Sequence, residues 1–516
     1  MSFVNWSSFR YKWRLFVCYL STFLLICGAL GAWIYASPKG ADPDGSFHLV
    51  SIWCGSGYRV GKCEIVNTYR GLKLDGVAYV PSAIARDYGN LDTATLNIKM
   101  LFNHKNNFSN LYPKGYYWFS SKFVQSNIER TVLILRWINV SLFALCILSA
   151  HYFLPKNMRK GFGLTILVLL MPLGIFTVAS NNPSSWAITS LGTYWAFLFV
   201  FLSQKGTFLR TLLVSFFCLF SALIGLVSRG DSCGYLVLST IAVIAIVHAR
   251  KSSLVRVTNQ RLWLPAVVVL ASFYLFSNAS QNDTVLGGFI AANGMPGREV
   301  ATSISFSVNE FIYNLTKVPG TFAGFFGLEG TNGFLGGHMA FSMPEIVSLG
   351  MLFLFSATLA NSNSMRSKSE VITITLFAIA VISLPILVMF RTGQLLPGLV
   401  QSRYMLPIAI PLVGLFVSGS DIESKIVTSK MFKSQAASVL ALSYLIALHV
   451  SLRNYVLPLD SIGLNLNQSR MWWRQGVPSP MVILFLGTLS YVTLVYVFVY
   501  GNKKPAMFKV VAGKNR

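Results

Sequence analysis

The sequence predicts an all-α polytopic membrane protein with about twelve transmembrane helices, and three observations carry that prediction. Hydrophobic residues make up 54% of the 516 positions and charged residues only 11%, where a soluble domain carries about 25% charge. The apolar residues gather in runs close to the roughly 20 residues that cross a bilayer as a helix. The basic residues gather in short clusters between those runs, which is how membrane topology is written. These features exclude a soluble enzyme, a disordered chain and a nucleic-acid-binding domain. The net charge of +25, from 42 Lys+Arg against 17 Asp+Glu, is therefore read as topology and not as a nucleic-acid footprint.

The runs fall at roughly 14–35, 131–153, 162–180, 185–203, 211–227, 232–249, 262–278, 345–360, 370–390, 404–418, 436–452 and 479–500. The first exceeds signal-peptide length and has no small-x-small site before Pro38, so it is expected to be an uncleaved membrane helix. The fourth follows Asn181-Asn182-Pro183-Ser184-Ser185-Trp186, a polar turn in which Pro183 to Ser185 suit a helix start. Arg403 opens the tenth. The chain is expected to form one integral membrane domain over 1–516. The long connections at 37–129, expected to carry interfacial helices and a candidate catalytic motif, and at 279–343 are expected to be functional or folded rather than slack.

The connections alternate in charge. One side holds Arg10, Lys12 and Arg14; Lys156, Arg159 and Lys160; Lys205 and Arg210; Arg250, Lys251, Arg256 and Arg261; Arg366 and Lys368; Lys425, Lys430 and Lys433; and a basic tail from Lys503 to Arg516. The other side holds Arg229, Arg298, Lys317, Arg391, Arg403, Arg453, Arg470 and Arg474. The richer side is cytoplasmic by the positive-inside rule, so both termini are expected inside and loops 37–129 and 279–343 outside, in the plasma membrane. Of the acidic residues only Glu370, Asp421 and Glu423 fall inside. Chemistry that needs carboxylates is expected outside.

No Walker-type loop, G-x-G-x-x-G after a strand, or H-E-x-x-H is present. The histidines at 48, 104, 151, 248, 338 and 449 are scattered, so local sequence offers no metal site. A divalent ion held by carboxylates from distant loops stays open. Among seven cysteines only Cys54 and Cys63 share a polar stretch. They fit a disulfide in an oxidising compartment, with two free thiols as the alternative.

Four outer clusters carry polar chemistry. Asp42-Pro43-Asp44-Gly45-Ser46-Phe47-His48 sets two carboxylates and an imidazole just beyond the first helix. A shielded carboxylate there can act as a general base, with His48 on its face if the stretch is helical. The competing reading is that Asp42 or Asp44 caps a helix starting near Gly45. Arg229 and Asp231 lie two apart between apolar runs, costly unless paired or functional; a solvated tight turn is the alternative. Arg403 and Tyr404 could meet a phosphate or anchor the interface. Tyr112, Tyr116 and Tyr117, and the late Trp472-Trp473, could stack on a sugar or form the aromatic belt.

These residues resemble a known pattern: the bacterial multi-pass membrane family called domain of unknown function 2142, particularly its actinobacterial branch. Pro43-Asp44-Gly45-Ser46-Phe47-His48 looks like the family's P-D-E-x-x-H. Tyr112-Pro113-Lys114-Gly115-Tyr116-Tyr117 looks like Y-P-P-x-Y-Y, Gln401-Ser402-Arg403-Tyr404-Met405-Leu406-Pro407 like Q-G-R-Y-x-x-P, and Trp472-Trp473 like a late Trp pair. The family is similar to the GT-C glycosyltransferases, which move a sugar from a polyprenyl-phosphate carrier to an envelope acceptor outside the membrane. The resemblance implies an inverting transferase, with Asp44 as base and Arg229 or Arg403 on the phosphate. His48 would orient Asp44 or touch phosphate, and Tyr116 and Tyr117 would contact sugar. Gly45 departs from the family's Glu, so Asp42 supplies the second carboxylate or that role is missing. A transporter or flippase of envelope precursors is the rival, and a non-catalytic scaffold a third reading.

Overall fold

The computed structural model describes residues 6–69, 72–85, 99–204, 206–250, 261–278, 308–328, 343–362, 366–392, 400–418, 429–457, 463–468 and 476–500. Arg470, Trp472, Trp473 and Arg474, the basic tail and most of the 279–343 connection lie outside them.

All twelve apolar stretches are helical. Helix α1 (Trp6–Ala36) enters the bundle, and α2 (Gly45–Cys54) and α3 (Lys114–Ser121) are short helices of the first connection. The bundle continues with α4 (Ile128–Phe153), α5 (Lys156–Leu170), α6 (Leu173–Val178), α7 (Ser184–Ser203), α8 (Phe208–Leu226), α9 (Gly230–Ala249) and α10 (Trp263–Asn278). It closes with α11 (Val308–Ala323), α12 (Glu345–Asn361), α13 (Lys368–Thr392), α14 (Ser402–Ser418), α15 (Lys430–Val456) and α16 (Pro480–Tyr500). Among the described residues eight helices are long and apolar enough to cross a membrane, and three shorter apolar ones accompany them.

Two expectations need correction. The stretch 162–180 is not one span: α5 stops at Leu170, Met171 turns extended at φ −92 and ψ 121, and α6 restarts after Pro172. Proline has no N–H for the helix ladder and disfavours helical backbone at the residue before it. The first connection also carries more than interfacial helices. Strands β1 (Glu64–Tyr69), β2 (Leu72–Pro81) and β3 (Met100–Asn103) form an antiparallel sheet in that order. Ala78 and Val80, two apart on β2, are buried in one cluster with Leu49, Val50 and Trp53 of α2, as the period of a strand requires.

Helix α7 sits at the centre, packed by α4, α8, α9 and α14, and nearly all its residues are buried. Apolar side chains gain nothing by leaving lipid for one another, so small residues set how closely membrane helices approach. Gly225 is such a contact: a Cβ there would lie 2.4 Å from Ser190 Oγ on α7. The helices converge so that the starts of α2, α7, α9 and α14 meet at the end of the bundle that carries the first connection. From the charge asymmetry that end is expected to lie outside. Single cysteines replacing Gly206 and Ser367 are therefore expected to resist an impermeant thiol reagent in intact cells. One replacing Val60, which is 78% exposed, is expected to react. Labelling at 206 or 367 would reverse the orientation.

Candidate active site

The site begins with the turn that leaves α1. Arg136, on α4 and wholly buried, donates from Nη1 to the Ile34 and Ser37 carbonyls, both at 2.9 Å, and from Nη2 to the Pro38 carbonyl at 3.1 Å. The same Nη2 reaches Asp42 Oδ1 at 2.6 Å. Asp42 Oδ2 accepts from the Asn181 backbone N–H at 3.0 Å, and Asn182 Nδ2 donates to the Pro43 carbonyl at 3.0 Å. The polar turn before α7 thus becomes a platform under residues 42 and 43.

The two aspartates part company here. Asp42 is 3% exposed and its carboxylate is closed on both oxygens. Asp44 sits at the start of α2 in the left-handed region, φ 53 and ψ 35, and its side chain makes no cap hydrogen bond. It accepts instead from Arg403 Nη2, at 2.5 Å to Oδ2, while its side chain stays 42% exposed. Gly45 follows because the turn packs on itself: a Cβ at 45 would lie 2.9 Å from the Gly40 Cα and carbonyl oxygen. A glutamate at 45 would displace backbone, which is the physical content of the departure from the family pattern.

The two arginines also differ. Arg229 forms a bidentate pair with Asp231, Nε to Oδ1 at 2.9 Å and Nη2 to Oδ2 at 2.6 Å. Its Nη1 donates to Ser184 Oγ at 3.0 Å. Its face covers the Tyr404 ring, 4.3 Å from the centroid. Arg403 is 3% exposed and lies 4.9 Å from the same centroid. Its Nη2 donates to Asp44 and, at 3.0 Å, to Tyr404 Oη. Arg403 Nε and Nη1 are buried and have no hydrogen-bond partner among the described residues. A buried donor left unpaired costs about 1–3 kcal/mol. Two Arg403 nitrogens are thus without a partner among the described residues, whereas each Arg229 nitrogen has one.

The aromatic residues stand behind this layer. His48 Nδ1 pairs with Tyr117 Oη at 2.9 Å and does not bond the Asp44 carboxylate, so the expected orienting contact is replaced by a tyrosine contact. Burial, then the Arg403 and Arg229 cations, push the His48 pKa well below its ordinary 6.5. Acidification through that range thus favours the unfolded chain, which takes up the proton that folded His48 refuses. Tyr116 and Tyr117 are 1% and 2% exposed, with their hydroxyl pKa values raised by burial. Tyr116 packs edge-on against Trp186 at 5.1 Å. They wall the site from inside and offer no face to a sugar, contrary to expectation. The exposed aromatic of the helix is Trp118.

Cys54 and Cys63 form a disulfide with Cα atoms 5.2 Å apart. Arg59 within its loop donates to the Ser121 carbonyl at 3.2 Å and so ties the loop to the end of α3. Among the described residues no three His, Cys, Asp or Glu side chains gather as a metal-ligand set.

Asp42, Asp44, Arg229, Asp231, Arg403 and Tyr404 thus come together from three regions far apart in sequence. The residue missed from sequence is Arg136. Its signal was present, since an arginine inside an apolar run is expensive and needs a named partner. Asn181, Asn182 and Ser184 left no comparable signal beyond their place in a polar turn.

A family model described as "Predicted membrane protein (DUF2142)" matches residues 27–412. No curated protein matches the sequence. Among solved structures, the crystal structure of ArnT from Cupriavidus metallidurans bound to undecaprenyl phosphate is similar at 13% identity and a TM-score of 0.38, over 94% of this chain and 78% of that one.

Proposed function

The chain belongs to the DUF2142 family of predicted membrane proteins, and we propose that it is a glycosyltransferase of the GT-C kind. It moves a sugar from a polyprenyl-phosphate donor to an envelope glycan or lipid acceptor on the extracytoplasmic face of the plasma membrane, with both termini inside. The observation that carries the proposal is the Asp44–Arg403 pair: a half-exposed carboxylate held against a buried guanidinium whose Nε and Nη1 have no partner among the described residues.

In the proposed reaction Asp44 takes the proton of an acceptor hydroxyl, whose oxygen attacks the anomeric carbon. The bond from that carbon to the phosphate oxygen breaks, and polyprenyl phosphate leaves with the electron pair. The configuration inverts, and the proton on Asp44 passes to water. The free N–H groups of Arg403 face the charge that develops on the leaving oxygen, and fixed cations in a dry site stabilise such charge strongly. Arg229 and Asp231 support this layer by pinning Tyr404. His48 and Tyr117 form the wall beside Asp44. The lipid tail lies in the bilayer alongside the bundle.

The test is a lipid and glycan profile of cells lacking the protein, followed by transfer from radiolabelled polyprenyl-phosphate sugar in isolated membranes. Accumulation of one polyprenyl-phosphate sugar, with a polymer short of that residue, is expected. An unchanged donor pool, with a precursor trapped on the inner leaflet, would overturn the proposal in favour of a flippase.

A further inference from the structure

Arg136 is buried where a cation is costly, and its donors converge on one short segment. Three of its acceptors are carbonyls at and just beyond the C-terminus of α1, where a helix leaves carbonyls unpaired and favours positive charge. The fourth is Asp42, whose other oxygen and whose neighbour Pro43 are held by Asn181 and Asn182. The Gly45 backbone N–H closes onto the Asp42 carbonyl at 2.9 Å. Residues 42, 43 and 45 are thus all held, and Asp44 between them is forced to φ 53. That conformation is one that most non-glycine residues avoid, and it persists only where its surroundings over-determine it.

We propose that Arg136 is a positioning residue: acting through Asp42, it holds the Asp44 carboxylate against Arg403. This rests on the reading of Asp44 as the base. A role in stability alone accounts for the pair poorly, because buried ion pairs are often no more stabilising than apolar residues of the same volume. Here the pair concentrates its bonds on the turn that presents Asp44.

Two measurements on the full-length protein in membranes test it. The first needs no sugar transfer. A thiol in the Asp44→Cys variant is held beside the Arg403 cation, so its labelling by a small alkylating reagent should titrate below the ordinary thiol value of about 8.5. Adding Arg136→Lys keeps a charge for Asp42 but loses the fork over the α1 carbonyls, and the midpoint should return toward that value. An unchanged midpoint would overturn the inference. The second is a double-mutant cycle. Arg136→Lys should lower kcat about 10–100-fold with KM nearly constant. Combined with Asp44→Asn it should be no slower than Asp44→Asn alone, since coupled residues are not additive. Multiplying effects would mean that Arg136 acts elsewhere and would also overturn it. Should Arg136→Lys fail to fold, Asp42→Asn serves in both experiments with the same expected outcomes. Wild-type transfer by Asp44→Asn together with the predicted thiol shift would remove the catalytic reading and leave the positioning contact standing.

Discussion

The Asp44→Asn variant is expected to lose sugar transfer by about 10²–10⁴-fold, the range that a general base supplies. Donor binding and folded protein should be nearly unchanged. The substitution is unusually clean at this position. Asparagine tolerates the left-handed backbone of residue 44 at least as well as aspartate, so the turn need not move. Its side-chain oxygen can still accept from Arg403 Nη2. What disappears is the charge and the capacity to take a proton. The helix-cap reading makes the opposite forecast, because asparagine caps as well as aspartate. The structure already removes its premise, since Asp44 makes no side-chain cap bond. Transfer assayed in membranes at saturating donor separates the two, and a wild-type rate would take Asp44 out of the mechanism. Asp42 is poorly placed as a substitute base, because it is buried and each of its oxygens already accepts a bond, from Arg136 and from the Asn181 N–H.

The second large effect falls on stability. Asp231→Ala leaves the Arg229 guanidinium buried with only Ser184 as a hydrogen-bond partner among those described. Breaking a buried pair from one side costs about 3–5 kcal/mol, because the remaining charge is uncompensated. That is a large fraction of the roughly 5–15 kcal/mol by which a domain is stable. The expected result is a sharp fall in folded protein, read by thermal unfolding in detergent. Removing both charges with Arg229→Met and Asp231→Leu should recover most of the folded yield. An Asp231→Ala protein as stable as wild type would show that Arg229 keeps other compensation. The contrast with Asp44 is the useful part: one ion pair here is sealed inside the bundle, and the other leaves its carboxylate half-exposed.

Among the described residues hydropathy located the long apolar helices, and Pro172 explains why the third run is two helices. Helix α2 begins at Gly45, where the capping reading of Asp42 or Asp44 placed a helix start. The sheet of β1, β2 and β3 was not read from the sequence: its strands are short, and short alternating stretches are outweighed by the long runs around them. The candidate site was legible as a composition, with carboxylates, arginines and tyrosines all at one end of the bundle. Its roles were not. Asp42 and Asp44 are two residues apart and chemically identical, yet one is sealed by a residue 94 positions away and the other is paired with one 359 positions away. Local periodicity fixes which residues share one helix's face, but it carries no information on how α4 and α14 are rotated against the turn after α1. That rotation is set by the packing of the whole bundle, and it decides which carboxylate is buried and which is left exposed.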